Sequence, residues 1–169
     1  MKRRAVASLA LAAVLVGGCG GGDGSAESSK PRPATARRAE AACRDFRREV
    51  EGIARGALAN PPSTTAELMT ERLVRPSIPA LERIARRQQA LEPAMANAQF
   101  DLYAGLFDPI VVLAQERLRA GRASELSRSK ETERMLTELG VEQRAIARLL
   151  GLHACDVDFQ HVLISSLSG

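Results

Sequence analysis

The sequence is poor in aromatic residues and has no tryptophan. Single-stranded nucleic acids bind to platforms of stacked aromatic side chains, so this scarcity argues against such a function. Lysine is also scarce, with three residues against 21 arginines, and three of the basic residues lie at positions 2–4. Without those three residues the net charge of the chain is about +1 instead of the formal +4. Nucleic-acid binding needs a strongly basic surface, so this net charge argues against any nucleic-acid partner. The five aromatic residues are Phe46, Phe100, Tyr103, Phe107 and Phe159.

The chain lacks the G-x-S-x-G and H-E-x-x-H motifs of hydrolases. One S-x-x-K arrangement would place Ser127 and Lys130 one helical turn apart, and we interpret it as a solvated first turn. A nucleophilic cysteine beside His153 would need a free thiolate, whereas we expect the thiols to be paired. The sequence therefore predicts a protein that is not an enzyme and needs no cofactor.

No apolar run is long enough to cross a bilayer as a helix, which takes about 20 residues. Residues 5–16 are apolar apart from Ser8 and follow a basic start, as in a signal peptide. They lead into Val16-Gly17-Gly18-Cys19, which resembles the lipobox of bacterial lipoproteins. The resemblance implies that residues 1–18 are removed and that Cys19 carries a diacylglycerol group and an acylated amine. Two acyl chains anchor a protein stably. The alternative is an ordinary secretory signal in which Cys19 is incidental.

Residues 20–36, GGGDGSAESSKPRPATA, contain no large apolar side chain. They cannot bury enough surface to offset the entropy of ordering. We predict that residues 19–36 form the lipidated cysteine and a flexible tether, and that residues 37–169 form one domain. A chain of that length is long enough for a single hydrophobic core.

The domain has helical periodicity throughout and no convincing strand alternation. The clearest stripe is Cys43, Phe46, Val50, Ile53 and Ala57. The predicted helices run over 36–59, 64–91, 93–120 and 124–150. Four segments of this length with short connections favour an all-α, up-down-up-down four-helix bundle.

Helix boundaries are predicted from capping residues, proline and glycine. Thr64 and Glu67 form a capping box, Pro76 and Pro79 predict breaks or kinks in the second helix, and Pro93 suits the first turn of the third. The remaining predicted boundaries are Gly121 as a C-cap, Ser124 as an N-cap, Gly151 as a helix-ending glycine with Leu152 packing back, and Asp156 as the cap of a short C-terminal helix with Phe159, Val162 and Leu163 inward.

The later helices also have predicted core faces. The third is the most apolar, and we expect it to be the most buried. The predicted core residues of the second helix are Leu68, Leu73, Ile78, Leu81, Ile84 and Leu91. Those of the third are Phe100, Leu102, Tyr103, Leu106, Phe107, Ile110, Leu113 and Ala114, and those of the fourth are Met135, Leu136, Leu139, Ile146, Leu149 and Leu150.

Two cysteines remain once Cys19 is assigned to the lipid. Cys43 lies near the start of the first helix and Cys155 just beyond the end of the fourth, and an up-down-up-down bundle brings these points to the same end. Disulfides persist in exported proteins, so we predict a bond between them. The alternative is a zinc site formed by both cysteines and His153.

Three short motifs widen the resemblance to residues 40–155. They are Cys43-Arg44, Leu91-Glu92-Pro93 and the 150–155 sequence Leu-Gly-Leu-His-Ala-Cys. Together they resemble small helical lipoproteins and membrane-anchored domains that are common in actinobacteria. The turn lacks the Pro-Pro of that pattern, and the tail after Cys155 is longer. The family has no established activity, so the resemblance implies an architecture and no mechanism.

Other possible sites have simpler interpretations. The polar residues His153, Asp156, Asp158 and His161 could hold a divalent ion, but we interpret them as caps and exposed residues and predict no metal. Pro109 could open a cavity by kinking the third helix, although a bent core helix is the simpler interpretation. The arginines that could meet lipid phosphates or anionic polymers, but that we interpret as a solvated face, are Arg75, Arg83, Arg86 and Arg87.

These observations predict a lipid-anchored protein on the extracytoplasmic face of the cell membrane. Its helical bundle would bind an envelope protein or another envelope component. The alternative is a carrier of a small apolar ligand or lipid, with a cavity near Pro109.

Overall fold

The computed structural model of the chain describes residues 33–59, 62 and 64–156, and all regular secondary structure in these residues is helical. The predicted all-α bundle is confirmed. The elements are α1 (Pro33–Ala59), α2 (Thr65–Glu67), a π-helical segment (Leu68–Val74), α3 (Arg75–Gln89), α4 (Glu92–Met95), α5 (Ala98–Gly105), α6 (Phe107–Arg122), α7 (Leu126–Leu149) and a 3₁₀ turn (His153–Cys155). Four rods form the bundle: α1, the π segment with α3, α5 with α6, and α7. The predicted signal peptide, lipidated Cys19, most of the tether, and the C-terminal helix with Asp158 and His161 lie outside the described residues.

Helix α1 begins at Pro33, three residues earlier than predicted. Proline is tolerated in a first turn because its missing N–H would have no partner within the helix. The predicted stripe is confirmed, since Cys43, Phe46, Val50 and Ala57 are buried.

The second rod begins at the predicted capping box, where Thr64 Oγ1 accepts a hydrogen bond from the amide of Glu67 at 3.1 Å. The π-helical segment then ends at Val74, two residues before Pro76. The prolines therefore disturb the hydrogen-bond ladder without breaking the rod, and α3 continues through Pro79 to Gln89. The Ser77 hydroxyl donates to the carbonyl of Leu73 at 2.7 Å and adds a side-chain bond at this irregular turn.

The predicted third helix over 93–120 is wrong at its start. Helix α4 ends at Ala96, whose φ of 46° is left-handed. Asn97 then opens α5, because its side-chain oxygen accepts hydrogen bonds from the amides of Gln99 and Phe100 at 2.9 and 3.2 Å. Asparagine is a strong N-cap, and this cap divides a segment that periodicity alone suggests is continuous.

The third rod is interrupted again at Leu106, between α5 and α6. Pro109 has no amide hydrogen to donate to the carbonyl of Gly105, four residues earlier, so the helical ladder fails at that point. The disturbance predicted at Pro109 is confirmed. Leu102 was predicted to face the core, and this is wrong: its side chain is 65% exposed.

The predicted caps at Gly121 and Ser124 are both wrong. Helix α6 continues to Arg122, and Ser124 follows it with a left-handed φ of 58°. The amide of Ser124 donates to the carbonyl of Gly121 at 3.2 Å, and that of Glu125 to Ala120 at 2.9 Å. This is a Schellman motif, in which serine holds the position that glycine usually takes.

Helix α7 buries less apolar surface than predicted. Met135 and Leu149 were predicted to face inward, and this is wrong, because they are 39% and 74% exposed. Leu136, Leu139 and Ile146 are half-buried, and Leu150 is buried. The buried residues within α7 are the small or polar Thr132, Gln143 and Ala147. The difference arises because α7 packs along α5 and α6 but makes at most slight direct contact with α1.

Polar contacts between neighbouring rods give the antiparallel order. Between the first and second rods, and between the second and third, residue numbers rise in one rod as they fall in the other. The third and fourth rods are joined by the short 123–125 connection, as an up-down-up-down bundle requires. The cross-rod pairs are Asp45–Arg87 and Glu49–Arg83, then Glu71–Arg122 and Glu82–Gln115, then Arg117–Glu133 and Glu116–Arg128.

Gly121 lies where α6 crosses the π segment. A Cβ atom at this position would come within 2.5 Å of Thr70 Oγ1, so glycine permits the close approach. Beside it, the Arg122 guanidinium donates to both carboxylate oxygens of Glu71 at 2.6 and 3.0 Å. These bonds, with a further one from Arg75, lower the pKa of Glu71 to about 2. Glu71 therefore stays charged, and paired, well below neutral pH.

We predict that Gly121→Ala lowers the free energy of unfolding by about 1–3 kcal/mol, the usual cost of overpacking. Gly140→Ala is the matched control, because Gly140 is also helical but has nothing within 4 Å of the position that an added methyl group would take. That variant should gain up to about 1 kcal/mol. Urea denaturation followed by circular dichroism measures both. A stabilised Gly121→Ala protein would contradict the close approach.

Candidate functional site

Cys43 and Cys155 form a disulfide that joins the start of α1 to the 3₁₀ turn after α7. Their Cα atoms are 5.2 Å apart although the residues are 112 positions apart in sequence. The predicted pairing is confirmed, and both residues are buried. Sulfurs bonded to each other are not the thiolates that zinc requires, so the zinc alternative does not hold in this state. We call the end of the bundle that contains this bond the clasped end, and the opposite end the far end.

Two buried side chains donate hydrogen bonds to the Cys43 sulfur. Tyr103 Oη and Gln88 Nε2 each lie 3.3 Å from Sγ. A disulfide sulfur carries no hydrogen, so the tyrosine hydroxyl is the donor. Burial raises the pKa of Tyr103, which keeps that proton in place. Gln88 Nε2 also donates to the carbonyl of Ala39 at 3.0 Å and so ties α3 to α1 at the same point.

Aromatic rings surround this hydrogen-bond network. Tyr103 packs against Phe100 and Phe107, with ring centroids 5.7 and 5.5 Å apart, and the second pair is edge-to-face. All three rings are buried, as predicted. Such pairs add to the stability gained by burial alone, so the disulfide lies in a packed core.

Gln88 is a residue of this site that the sequence analysis missed. It is fully buried, and its Oε1 has no hydrogen-bond partner among the described residues. A glutamine in an amphipathic helix usually faces water. The available signal was its position four residues after Ile84, on the buried stripe of α3. We interpret Gln88 as a positioning residue for the disulfide.

The turn after α7 has the predicted form. Gly151 adopts a left-handed φ of 69°, and the amide of Leu152 donates to the carbonyl of Ala147 at 2.9 Å. This is a Schellman motif, and Leu152 is fully buried. The amide of Ala154 donates to Glu40 Oε1 on α1 at 3.3 Å. The turn is therefore tied to α1 by a hydrogen bond as well as by the disulfide.

A groove of about 200 Å³ lies between α1 and α3, with Phe46 and Ile84 at its base. Its rims carry Arg83 and Arg87, two of the four arginines considered above for anion binding. Arg83 pairs with Glu49 and Arg87 with Asp45 across the groove, and Asp45 also receives Arg48, so its pKa is lowered. Arg75 pairs with Glu71. Arg75, Arg83 and Arg87 are therefore neutralised by nearby carboxylates, in agreement with a solvated face, and Arg86 is exposed.

The region around Pro109 presents an exposed surface. Leu102, Gly105, Pro109 and Val112 follow one another at spacings of three, four and three residues, and all are exposed. The intervening Phe107 and Ile110 are buried. We call these four exposed residues the outer ridge. It is an apolar strip without a covering element among the described residues.

We predict that Cys43→Ser/Cys155→Ser lowers the free energy of unfolding by about 4–5 kcal/mol, the chain-entropy value for a loop of roughly this length. Tyr103→Phe, which removes only one hydrogen bond to the sulfur, should cost about 1 kcal/mol. Urea titration measures both, with reduced wild-type protein as the control. A double serine variant as stable as the oxidised wild type would show that the bond does not stabilise the fold.

Neither recognisable types of site nor comparison with known proteins assigns a further role to the described residues. None of the described helices is long and apolar enough to cross a membrane. The described residues contain no group of three or more His, Cys, Asp or Glu side chains that could hold a metal ion. Ser127 and Lys130 are both exposed in the first turn of α7, as expected for a solvated turn. Protein-family models, curated proteins and solved structures yield no match to the chain.

Proposed function

We propose that this protein is a non-enzymatic lipoprotein of the bacterial cell envelope. It is acylated at Cys19, held on the extracytoplasmic face of the cell membrane, and uses its helical bundle as a binding module. The observation that carries the proposal is the buried disulfide between Cys43 and Cys155. A structural disulfide is typical of an oxidising compartment outside the cytoplasm, and the lipobox-like sequence at residues 16–19 supplies a route to that compartment.

The composition of the site supports binding over catalysis. Both thiols are consumed in a buried bond, the Tyr103 hydroxyl is committed to the Cys43 sulfur, and the arginines of the α1–α3 groove face carboxylates. Such groups hold the fold together and leave no activated nucleophile or base among them.

The outer ridge is the surface we assign to a protein partner. Leu102 and Val112 are 65% and 53% exposed. Pro109 lies between them, close to the interruption of the third rod at Leu106. Exposed apolar side chains that lie close together commonly mark a protein interaction site. The ridge lies on the third rod, whereas the tether joins the bundle at the start of α1, so an anchored molecule can present the ridge to another envelope protein.

We expect the protein purified from its own host to begin at residue 19 and to carry the mass of a diacylglycerol group and an amide-linked acyl chain. The Cys19→Ala protein should carry no diacylglycerol mass, whether or not its signal peptide is removed, since only a thiol accepts the diacylglycerol group. Intact-mass spectrometry of both proteins measures this. Wild-type protein that retains Met1, or that lacks any acyl adduct, would contradict the proposal.

A photo-crosslinking residue at position 112 is expected to give a discrete adduct with one envelope protein. The same residue at position 126 is the matched control, because Leu126 is also exposed, at 75%, but lies at the far end. Leu102→Asp should abolish the adduct at position 112 without changing the circular dichroism spectrum, because it places a charge within the proposed contact. Identical adducts at both positions, or an adduct unaffected by Leu102→Asp, would show that the ridge is not the binding surface.

A further inference from the structure

We propose that the clasped end of the bundle rests directly on an anionic phospholipid bilayer, so that the domain has a fixed orientation on the membrane. The inference builds on the lipid anchor proposed above. It adds a second contact made by the folded domain itself, through Arg37 and Arg38 of α1 and Leu149 of α7. The chemistry recognised is the phosphate group and the adjoining acyl region of the lipid.

The tether predicted from the sequence would bring this end close to the membrane. Helix α1 begins at Pro33, so only residues 20–32 separate it from Cys19. A flexible segment of that length has a root-mean-square reach of roughly 20 Å, about the width of two packed helices. The start of α1 belongs to the clasped end, because α1 runs from Pro33 past Cys43 toward the far end. The clasped end is thus the part of the domain closest to an acylated Cys19.

The charge at this end matches an anionic surface. Residues 30–44 contain five basic residues and one acidic residue, Glu40. Glu40 is already engaged, since it accepts the amide of Ala154 and pairs with Arg44 at 3.7 Å. Arg37 and Arg38 are exposed and have no ion-pair partner among the described residues. They differ in this from the arginines of the groove, which are bound to carboxylates.

An exposed apolar side chain accompanies these charges. Leu149 lies in the last turn of α7 and is 74% exposed, although its neighbour Leu150 is buried in the cluster around the disulfide. Basic side chains and a large apolar side chain exposed at one end of a fold are the usual composition of an interfacial membrane contact. The acidic residues at this end are fewer: Glu92 and Asp101 flank it, and Asp156 is paired with Arg148 at 3.4 Å.

The far end supplies a matched comparison. Leu126 starts α7 and is 75% exposed, almost the same as Leu149 at the other end of the same helix. Arg55 and Arg72 are exposed near this end and, like Arg37 and Arg38, have no ion-pair partner among the described residues. Substituting either pair of arginines by glutamate changes the net charge by the same amount. A difference in vesicle binding between the two double variants then reports where the arginines lie and not the change in net charge.

The experiment uses the mature chain, residues 19–169, with Cys19→Ser so that no acyl chain contributes. Binding is measured by co-sedimentation with vesicles of equal parts phosphatidylglycerol and phosphatidylcholine, and with phosphatidylcholine alone. We expect binding to the anionic vesicles only, and its loss in 0.5 M salt, where exposed charges are screened. One basic residue near an anionic surface contributes roughly fivefold in affinity, so Arg37→Glu/Arg38→Glu should weaken binding by at least tenfold.

The control variants decide whether the clasped end is responsible. Arg55→Glu/Arg72→Glu and Leu126→Ser should bind nearly as well as the parent, and Leu149→Ser should bind several-fold more weakly. Equal losses for the two arginine pairs would overturn the proposal in favour of non-specific attraction, and so would an absence of vesicle binding. If the Leu149→Ser protein bound vesicles as tightly as the parent, the proposed apolar contribution of Leu149 would be wrong. Because the protein used here has no lipid, this assay can fail while the intact-mass test of Cys19 acylation succeeds, and the reverse.

Discussion

The bond between Cys43 and Cys155 is the constraint on which the arrangement of the fourth rod depends. Helix α7 spans 24 residues but fully buries no large apolar side chain between Leu126 and Leu149. It packs along the third rod and has little direct contact with α1. Apolar burial is the main source of stability in most folds. In this bundle α7 buries only a modest amount of apolar surface. The covalent link between the first and last rods adds to the stability that this burial provides.

The clasped end combines that link with a buried polar network. Tyr103 and Gln88 both donate to the Cys43 sulfur, and Gln88 also reaches the backbone of α1. Three of the four rods therefore meet at one sulfur atom, and the fourth is joined through the turn that carries Cys155. The far end is held differently, by the close approach at Gly121 and the ion pair between Glu71 and Arg122. In our account the clasped end faces the membrane, and the outer ridge remains available to a protein partner.

Much of this architecture could be predicted from the sequence, because helical periodicity identifies the buried face of α1 and topology brings the two cysteines together. Other features could not. The cap at Asn97 and the serine at the left-handed position 124 are single-residue choices that periodicity does not resolve. Apolar spacing also predicted that Leu149 faces inward, but spacing shows only that residues share a face and not that another rod covers it. The buried stripe of α3 indicates that Gln88 faces the core, but its polar partner, a sulfur 45 positions away, is indicated by no local pattern.

Hydrogen exchange of the bundle before and after reduction of the disulfide tests the central claim most directly. If α7 depends on its covalent link to α1, its amides should exchange much faster after reduction, while those of α1, α3 and α6 keep most of their protection. Exchange that accelerates equally in all four rods, or that leaves α7 protected, would show that burial alone holds α7 in place and would contradict this account.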